Sequence, residues 1–299
     1  MRATKLTFIG VLLLSLTASH GWADTTHMAR PGSINYVEGQ ATIGTEVLSS
    51  ASVGAVEVAA DQVLATQAGK VEMLLTPGVF FRLDGNSAVK MVSPGLANTE
   101  VELQKGRAIV EAIDVHKENN IRVSLSGGLV TVLKNGLYEF DADRGEVRVF
   151  SGELDVHIGS QDLKLKDKHF APISTTAPLK AQGFETRLYE DDFYRWSALR
   201  SGYLSEASVD TARLYVGTGP GWYGPGWVGW GWYWNPWFGA YTFLPADGIF
   251  WSPFGWGYYS PLVIYRSPLF YGPHFGHHFE EFHGPYGHGY GVPRGGVRR

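Results

Sequence analysis

Apolar and polar residues alternate with a period of two through the first half of the chain, from about residue 34 to residue 170. Residues 121–126 read IRVSLS and residues 153–158 read ELDVHI, so every second side chain is apolar. This alternation is typical of half-buried β-strands. Short turn sequences separate the runs, among them TPG at 76–78, DGN at 84–86 and NG at 135–136. We therefore predict an all-β domain over residues 30–175, for which a β-sandwich and a β-roll or short solenoid are both open.

The periodicity changes after this domain. Between residues 188 and 204, aromatic side chains recur at spacings of three and four residues, and the acidic run EDD at 190–192 suits a helix N-terminus. We predict one amphipathic helix over residues 188–212. Its docking face, turned toward the β domain or a partner, is predicted to consist of Tyr189, Phe193, Trp196 and Tyr203.

The composition changes again in residues 217–299, which hold eight of the ten tryptophans and 19 of the 38 glycines. Glycine and proline interrupt both helical and strand periodicity here, so we predict a Gly/Trp/Tyr-rich low-complexity tail that is largely disordered. A packed core is the least favoured role for its indoles, and the prolines disfavour a membrane-spanning helix. The tail residues predicted to bind a partner are Trp222, Trp227, Trp230, Trp232, Trp234 and Trp237.

The same tail contains a cluster of imidazoles, and imidazole suits zinc, nickel and copper. A chain interrupted by glycine loses much conformational entropy when it gathers four ligands. We therefore predict no dedicated cofactor, and only weak, adventitious binding of divalent transition metals. The candidate ligands are His274, His277, His278 and His283.

The N-terminal residues 1–23 have the layout of a secretory signal. Two cations, Arg2 and Lys5, precede an apolar run at residues 6–16, and small residues stand at Gly21 and Ala23. We predict cleavage after Ala23, with an uncleaved anchor as the alternative, and a periplasmic, cell-surface or secreted location. The chain contains no cysteine, which excludes disulfides and a thiol nucleophile.

The balance of charge bears on partners and on catalysis. With 25 Lys+Arg and 29 Asp+Glu the formal net charge is −4, and no basic stripe is present, so we predict no nucleic-acid partner. Asp191 and Asp192 are adjacent acids of the kind that is ordinary in a first helical turn, and no nucleophile can be assigned to Asp114 and His116. We predict that the protein is not an enzyme.

Four segments of the β domain carry a resemblance to a known family: VEGQATI at 37–43, residues 61–91, VELQKGRAIVEA at 101–112 and GEVRVFSGELDV at 145–156. They are similar to the strand and turn motifs of the FecR family, a periplasmic domain of regulators of iron-uptake signalling. The resemblance covers residues 35–158 approximately. It implies a periplasmic β domain and, as one function, signal relay.

The leading interpretation is an exported, envelope-associated binding or scaffold module. Its expected partner is an envelope polymer, a membrane surface or an envelope protein. The resemblance implies an alternative, a periplasmic signal-relay component related to FecR-type regulators of iron uptake. The tail tryptophans leave a third alternative, a module that binds carbohydrate or another polymer, because an indole offers a flat apolar face and one N–H donor.

Overall fold

The computed structural model describes residues 29–217 and 229–266. The first eight strands are β1 (Ile34–Ile43), β2 (Glu46–Val47), β3 (Val63–Leu74), β4 (Val79–Leu83), β5 (Ala88–Gly95), β6 (Asn98–Lys105), β7 (Arg107–Ala112) and β8 (Arg122–Leu125). The next seven are β9 (Gly128–Val132), β10 (Gly136–Asp141), β11 (Glu146–Ser151), β12 (Glu153–Ile158), β13 (Gln161–Lys166), β14 (His169–Pro172) and β15 (Gln182–Gly183). The remaining elements are helix α1 (Asp192–Gly217), strands β16 (Gly231–Asn235), β17 (Ala240–Leu244), β18 (Ile249–Trp251) and β19 (Gly257–Tyr259), and helix α2 (Pro261–Arg266).

Strands β1 to β15 belong to one sheet, as the alternating pattern predicts. The hydrogen-bonded order is β13-β12-β9-β8-β6-β5-β3-β4-β7-β10-β11-β14-β15, with β1 beside β3 and β2 beside β1. Neighbouring strands run antiparallel except for β6 and β8, which are parallel. The prediction of an all-β domain followed by a helix is confirmed.

The long strand β3 divides this sheet into two layers. Its first residues pair with β5, whereas its last residues pair with β4, so the strands on either side continue in different layers. Apolar side chains of β5, β6, β8, β9 and β12 share one core with those of β4, β7, β10 and β11. Two layers therefore surround one core in this domain, and a single folded sheet supplies both layers of this arrangement, called here the sandwich.

One layer of the sandwich is buried on both of its faces. Every residue of β4 and of β10 is buried, including Arg82 and Glu139. On the face turned away from the sandwich core, here called the second face, α1 and the strands β16 to β19 cover these side chains. The molecule therefore has a third layer, which is made of the helix and the segment that follows it.

Helix α1 begins later and ends later than the predicted 188–212. Residues Thr186–Tyr189 form a short 3-10 helix instead, and the Oδ1 atom of Asp191 accepts hydrogen bonds from the backbone N–H groups of Phe193 and Tyr194. A side-chain acceptor just before the first turn is the usual N-cap, and it fixes the start of the helix at Asp192. Neither described helix is long and apolar enough to span a bilayer.

The prediction of a largely disordered tail is wrong for residues 229–266. This stretch, called here the C-terminal aromatic segment, forms the hairpins β16–β17 and β18–β19 and then α2. Glycine and proline stand mainly at its turns, as in the NPWFG sequence at 235–239, so they punctuate the strands without preventing them. Residues 1–23, the predicted signal, lie outside the described residues, as do 218–228 and 267–299.

Candidate functional site

Two of the predicted partner-binding tryptophans are half-buried and pack against the core of the molecule. The ring of Trp232 lies edge-on to that of Phe80, with 4.8 Å between centroids, and Phe80 belongs to the second face. The Nε1 atom of Trp230 donates to Asp114 Oδ2 at 2.5 Å, and its ring lies edge-on to that of His116. The interpretation that an internal role is the least favoured is therefore wrong for Trp230 and Trp232.

Beneath the aromatic segment lies a group of buried charges. Arg82 in β4 donates through Nε to Glu72 Oε2 at 2.8 Å, and its Nη1 atom lies 2.6 Å from Glu111 Oε2. Arg200 of α1 completes the group, since its Nη2 atom donates to Glu72 Oε1 at 3.0 Å. Two guanidinium groups thus balance two carboxylates between the sheet and the helix. Removing one partner of such a buried pair is strongly destabilising because it leaves a charge without compensation.

The carboxylate of Glu111 also ties the third layer to the sheet. Its Oε1 atom accepts hydrogen bonds from the hydroxyl of Ser201 in α1, at 2.6 Å, and from that of Ser252, just after β18. Burial, together with the Glu111 charge, raises the pKa of Tyr258 well above its usual value, so this phenol is neutral. Burial alone would raise the pKa of Glu72, but Arg200 and Arg82 outweigh it and hold that pKa below its ordinary value.

A buried asparagine joins the aromatic segment to the first strand. The Asn35 side chain accepts a hydrogen bond from Tyr241 N at 2.7 Å and donates one to Tyr241 O at 3.0 Å. It donates a further hydrogen bond to Glu72 Oε1 at 2.9 Å. One side chain therefore links β17 both to β1 and to the buried charges.

A second charged group lies where α1 begins. Arg107 Nη1 lies 2.6 Å from Asp191 Oδ2, which attaches the N-cap of the helix to β7. Nearby, Arg148 Nη1 donates to Glu139 Oε1 at 2.6 Å, and the Arg148 guanidinium stacks 4.0 Å above the ring of Tyr189. Burial raises the pKa of Glu139 to about 7, because its effect is larger than the opposing effect of Arg148 and Arg107, which lower that pKa. This carboxyl therefore titrates near neutral pH.

Three of the four residues predicted for the helix docking face lie against the sheet. Phe193 is buried among apolar residues of the second face, and Tyr189 and Trp196 pack beside it. Trp196 also donates through Nε1 to Glu38 Oε2 at 2.8 Å. Tyr203 is 50% exposed and does not lie against the sheet, so its contact with a partner stays a prediction. The buried stripe passes instead through a series of mostly small and polar residues: Ser197, Arg200, Ser201, Leu204, Ser205 and Ser208.

Other aromatic side chains of the C-terminal segment face solvent. Trp237 is 82% exposed and the adjacent Phe238 is 37% exposed, both in the turn between β16 and β17. Trp234 is 39% exposed and lies over Gly54, where an added Cβ would come within 2.6 Å of the indole. Trp251 is 53% exposed on β18. These four exposed residues of one segment, called here the exposed aromatic surface, are the candidate binding residues.

The turn that carries Trp237 and Phe238 is fixed to the helix. Asn235 is fully buried, and its Oδ1 atom accepts hydrogen bonds from the backbone N–H groups of Trp237 at 2.9 Å and Phe238 at 3.1 Å. Its Nδ2 atom donates to Thr211 Oγ1 at 3.0 Å and to Asp210 Oδ2 at 3.1 Å. The same amide thus closes the turn and holds it against α1.

The other candidates lie outside the described residues. These are Trp222, Trp227, and the proposed metal ligands His274, His277, His278 and His283. Within residues 29–217 and 229–266, no group of three or more His, Cys, Asp or Glu side chains is placed to hold a metal ion. Weak metal binding by the tail histidines stays a prediction.

Sequence reasoning missed the buried charges, although a signal for them is present. A strand with one solvated face carries polar residues on that face, whereas a strand covered on both faces is apolar on both. In β4, Phe80 shares the second face with Arg82, and in β10 Leu137 shares it with Glu139. A large apolar neighbour on the same face as a charge indicates that the charge too is covered.

Comparisons with known proteins add little to this picture. No family model and no curated protein matches the chain. Two crystal structures of a candidate anti-sigma factor from Parabacteroides distasonis ATCC 8503 match it with 15% and 14% sequence identity and a TM-score of 0.35. Each match covers 46% of this chain and 63% of the other, so this chain spans less than two thirds of their length. A TM-score at this level supports no conclusion about function.

Proposed function

We propose that this protein is an exported, non-enzymatic binding or scaffold module of the cell envelope. In this proposal the exposed aromatic surface makes the contact with the envelope. The observation that carries the proposal is that tryptophans of the C-terminal aromatic segment have two different environments. Trp230 and Trp232 pack this segment against the sheet, while Trp237 and Trp251 face solvent.

Physical reasoning connects this arrangement to binding. Exposed large apolar side chains that lie next to one another, as Trp237 and Phe238 do, mark contact sites, because covering them releases ordered water and lowers the free energy of the system. Tryptophan is also the residue type most enriched among the energetic centres of interfaces. A surface that is already fixed by its own hydrogen bonds loses little conformational entropy on binding, which favours affinity.

Cell fractionation of the full chain tests this proposal. We expect the wild-type protein in the envelope fraction, and the W237S/W251S double variant shifted into the soluble exported fraction. The matched control is Val47→Ser, which removes an exposed apolar side chain from β2, far along the chain from the aromatic segment. Wild-type protein that is never exported, or a double variant that stays in the envelope as the wild type does, would contradict the proposal.

The same fractions separate the alternatives. Retention on purified peptidoglycan or polysaccharide, lost in W237S/W251S, would favour a carbohydrate- or polymer-binding module. Co-purification with a membrane-bound regulator, unaffected by these substitutions, would favour signal relay of the FecR type. In that case the contact would lie elsewhere on the protein.

A further inference from the structure

The turn between β16 and β17 presents two aromatic side chains that the hairpin does not use. Trp237 and Phe238 stand next to one another at its apex, and Trp237 is the most exposed large apolar residue described. Asn235 closes the turn through backbone N–H groups, so the turn would form with other side chains at these two positions. The two rings are therefore not needed for the local structure.

The shape of the turn is set before any partner arrives. Asn235 is buried against α1, Pro236 restricts its own φ, and Gly239 has a φ of +57°, in the left-handed region where glycine is favoured. The aromatic pair is thus held in a fixed, protruding position. Contact with a partner would not require the turn to become ordered.

The area of the pair restricts what can cover it. From the size of aromatic side chains, Trp237 and Phe238 together expose about 300 Å². A stable protein–protein interface buries about 800 Å² on each partner, and a protruding turn of this size supplies less than half of that. A lipid interface has no such minimum, because it accommodates the shape of whatever enters it.

The chemistry of the turn also fits a lipid interface. Residues 229–246 contain no charged side chain, and the carboxylate of Asp210 in α1 accepts a hydrogen bond from Asn235 at the base of the turn. Tryptophan favours the headgroup region of a bilayer, where its ring is in contact with apolar carbon and its N–H can bond to polar groups. Without cations at the turn, attraction would come from apolar burial and not from anionic headgroups.

We propose that the β16–β17 turn inserts into the headgroup region of a phospholipid bilayer, with Trp237 and Phe238 as the inserted side chains. This names the partner of the exposed aromatic surface, so it rests on the proposed function. The protein associates with one membrane surface and does not cross it. Binding needs no anionic lipid and is insensitive to salt.

Flotation with phosphatidylcholine vesicles tests the proposal on the full exported chain. We expect the wild-type protein to float with the vesicles, equally at about 0.1 M and about 0.5 M salt. The affinity of the W237S/F238S variant for the vesicles should be lower by at least about tenfold. The matched control Val47→Ser removes an exposed apolar side chain from β2, outside the exposed aromatic surface, and should float as the wild type does. Circular dichroism and a thermal melt show whether each variant is folded.

A second measurement does not depend on a variant that removes both rings. Vesicles brominated near the headgroups quench the emission of inserted tryptophans, and we expect W237F to lose most of the quenching seen in the wild type. Flotation or quenching that is unchanged in these variants would overturn the proposal.

A different binding partner of the turn would give a different experimental result, and each such result would also overturn the lipid proposal. Loss of peptidoglycan binding in W237S/F238S, with no vesicle binding in the wild type, would indicate a polymer. A concentration-dependent dimer that the same variant abolishes, again without vesicle binding, would indicate a second copy of the chain. If vesicle binding is absent but envelope retention still depends on the exposed tryptophans, the proposed function stands and only the lipid partner is wrong.

Discussion

Truncation of two tryptophans in one hairpin should change stability by very different amounts. In Trp232→Ala, the ring that packs edge-on to Phe80 and lies near Phe243 is lost, so a cavity forms between the aromatic segment and the second face. Truncation of a core tryptophan costs about 3–5 kcal/mol, and because Trp232 is only partly buried we expect about 3 kcal/mol. In Trp237→Ala, the side chain removed is 82% exposed, and the cost should stay within about 0.5 kcal/mol.

Urea unfolding followed by far-UV circular dichroism measures both values under the same conditions. A loss of about 3 kcal/mol corresponds to a melting temperature lower by about 6 to 12 °C for a domain of this size. The Trp237→Ala variant is the matched control, since it changes the same residue type five residues beyond the half-buried Trp232. Equal free energies of unfolding for the two variants would refute the packing of the aromatic segment on the sheet. A loss confined to Trp237→Ala would refute it as well.

Two further predictions concern the buried charges. Arg82→Met leaves Glu111 without its guanidinium partner and should lower the unfolding free energy measured in urea by about 3–5 kcal/mol. The R82M/E111Q double variant should regain most of that loss, because no unpaired charge is left at position 111. A double variant no more stable than R82M would contradict this. Because the pKa of Glu139 is raised from 4.5 to about 7, the folded state binds this proton more tightly than the unfolded state, so its contribution to stability is lost as pH rises through that range. The unfolding free energy should fall by about 3 kcal/mol between pH 4.5 and pH 8. In E139Q, urea unfolding should no longer show this fall. A pH profile in E139Q identical to that of the wild type would show that another group is responsible.

Local alternation in the sequence was sufficient to place side chains on the two faces of a strand. In IRVSLS at 121–126, Val123 and Leu125 are buried in the sandwich core while Arg122 and Ser124 are on the other face. In ELDVHI at 153–158 the same holds, with Asp155 and His157 exposed. Both segments belong to the layer with one solvated face, where alternate side chains point to the core and to solvent.

The helix illustrates how the same reasoning succeeds in part. Phe193 was predicted on the docking face because aromatic spacing indicates an apolar stripe, and it is buried against the sheet. Further along α1 the buried stripe is made of serines and Arg200, since the surface beneath it carries Glu72 and Glu111. A hydrophobic pattern cannot indicate a face that is selected by polar contacts.

The sequence by itself therefore determined the β character of the domain, the side on which each strand residue points, and the presence of one long helix. These properties depend on neighbours a few residues away. The tertiary structure alone decided which of the two faces of a strand is covered, and it made the aromatic segment a third layer. Asn35 and Tyr241 are joined by two hydrogen bonds across 206 positions, and Glu111 meets Ser252 across 141. Burial of a charge depends on such distant partners, because only they exclude water and supply the opposite charge.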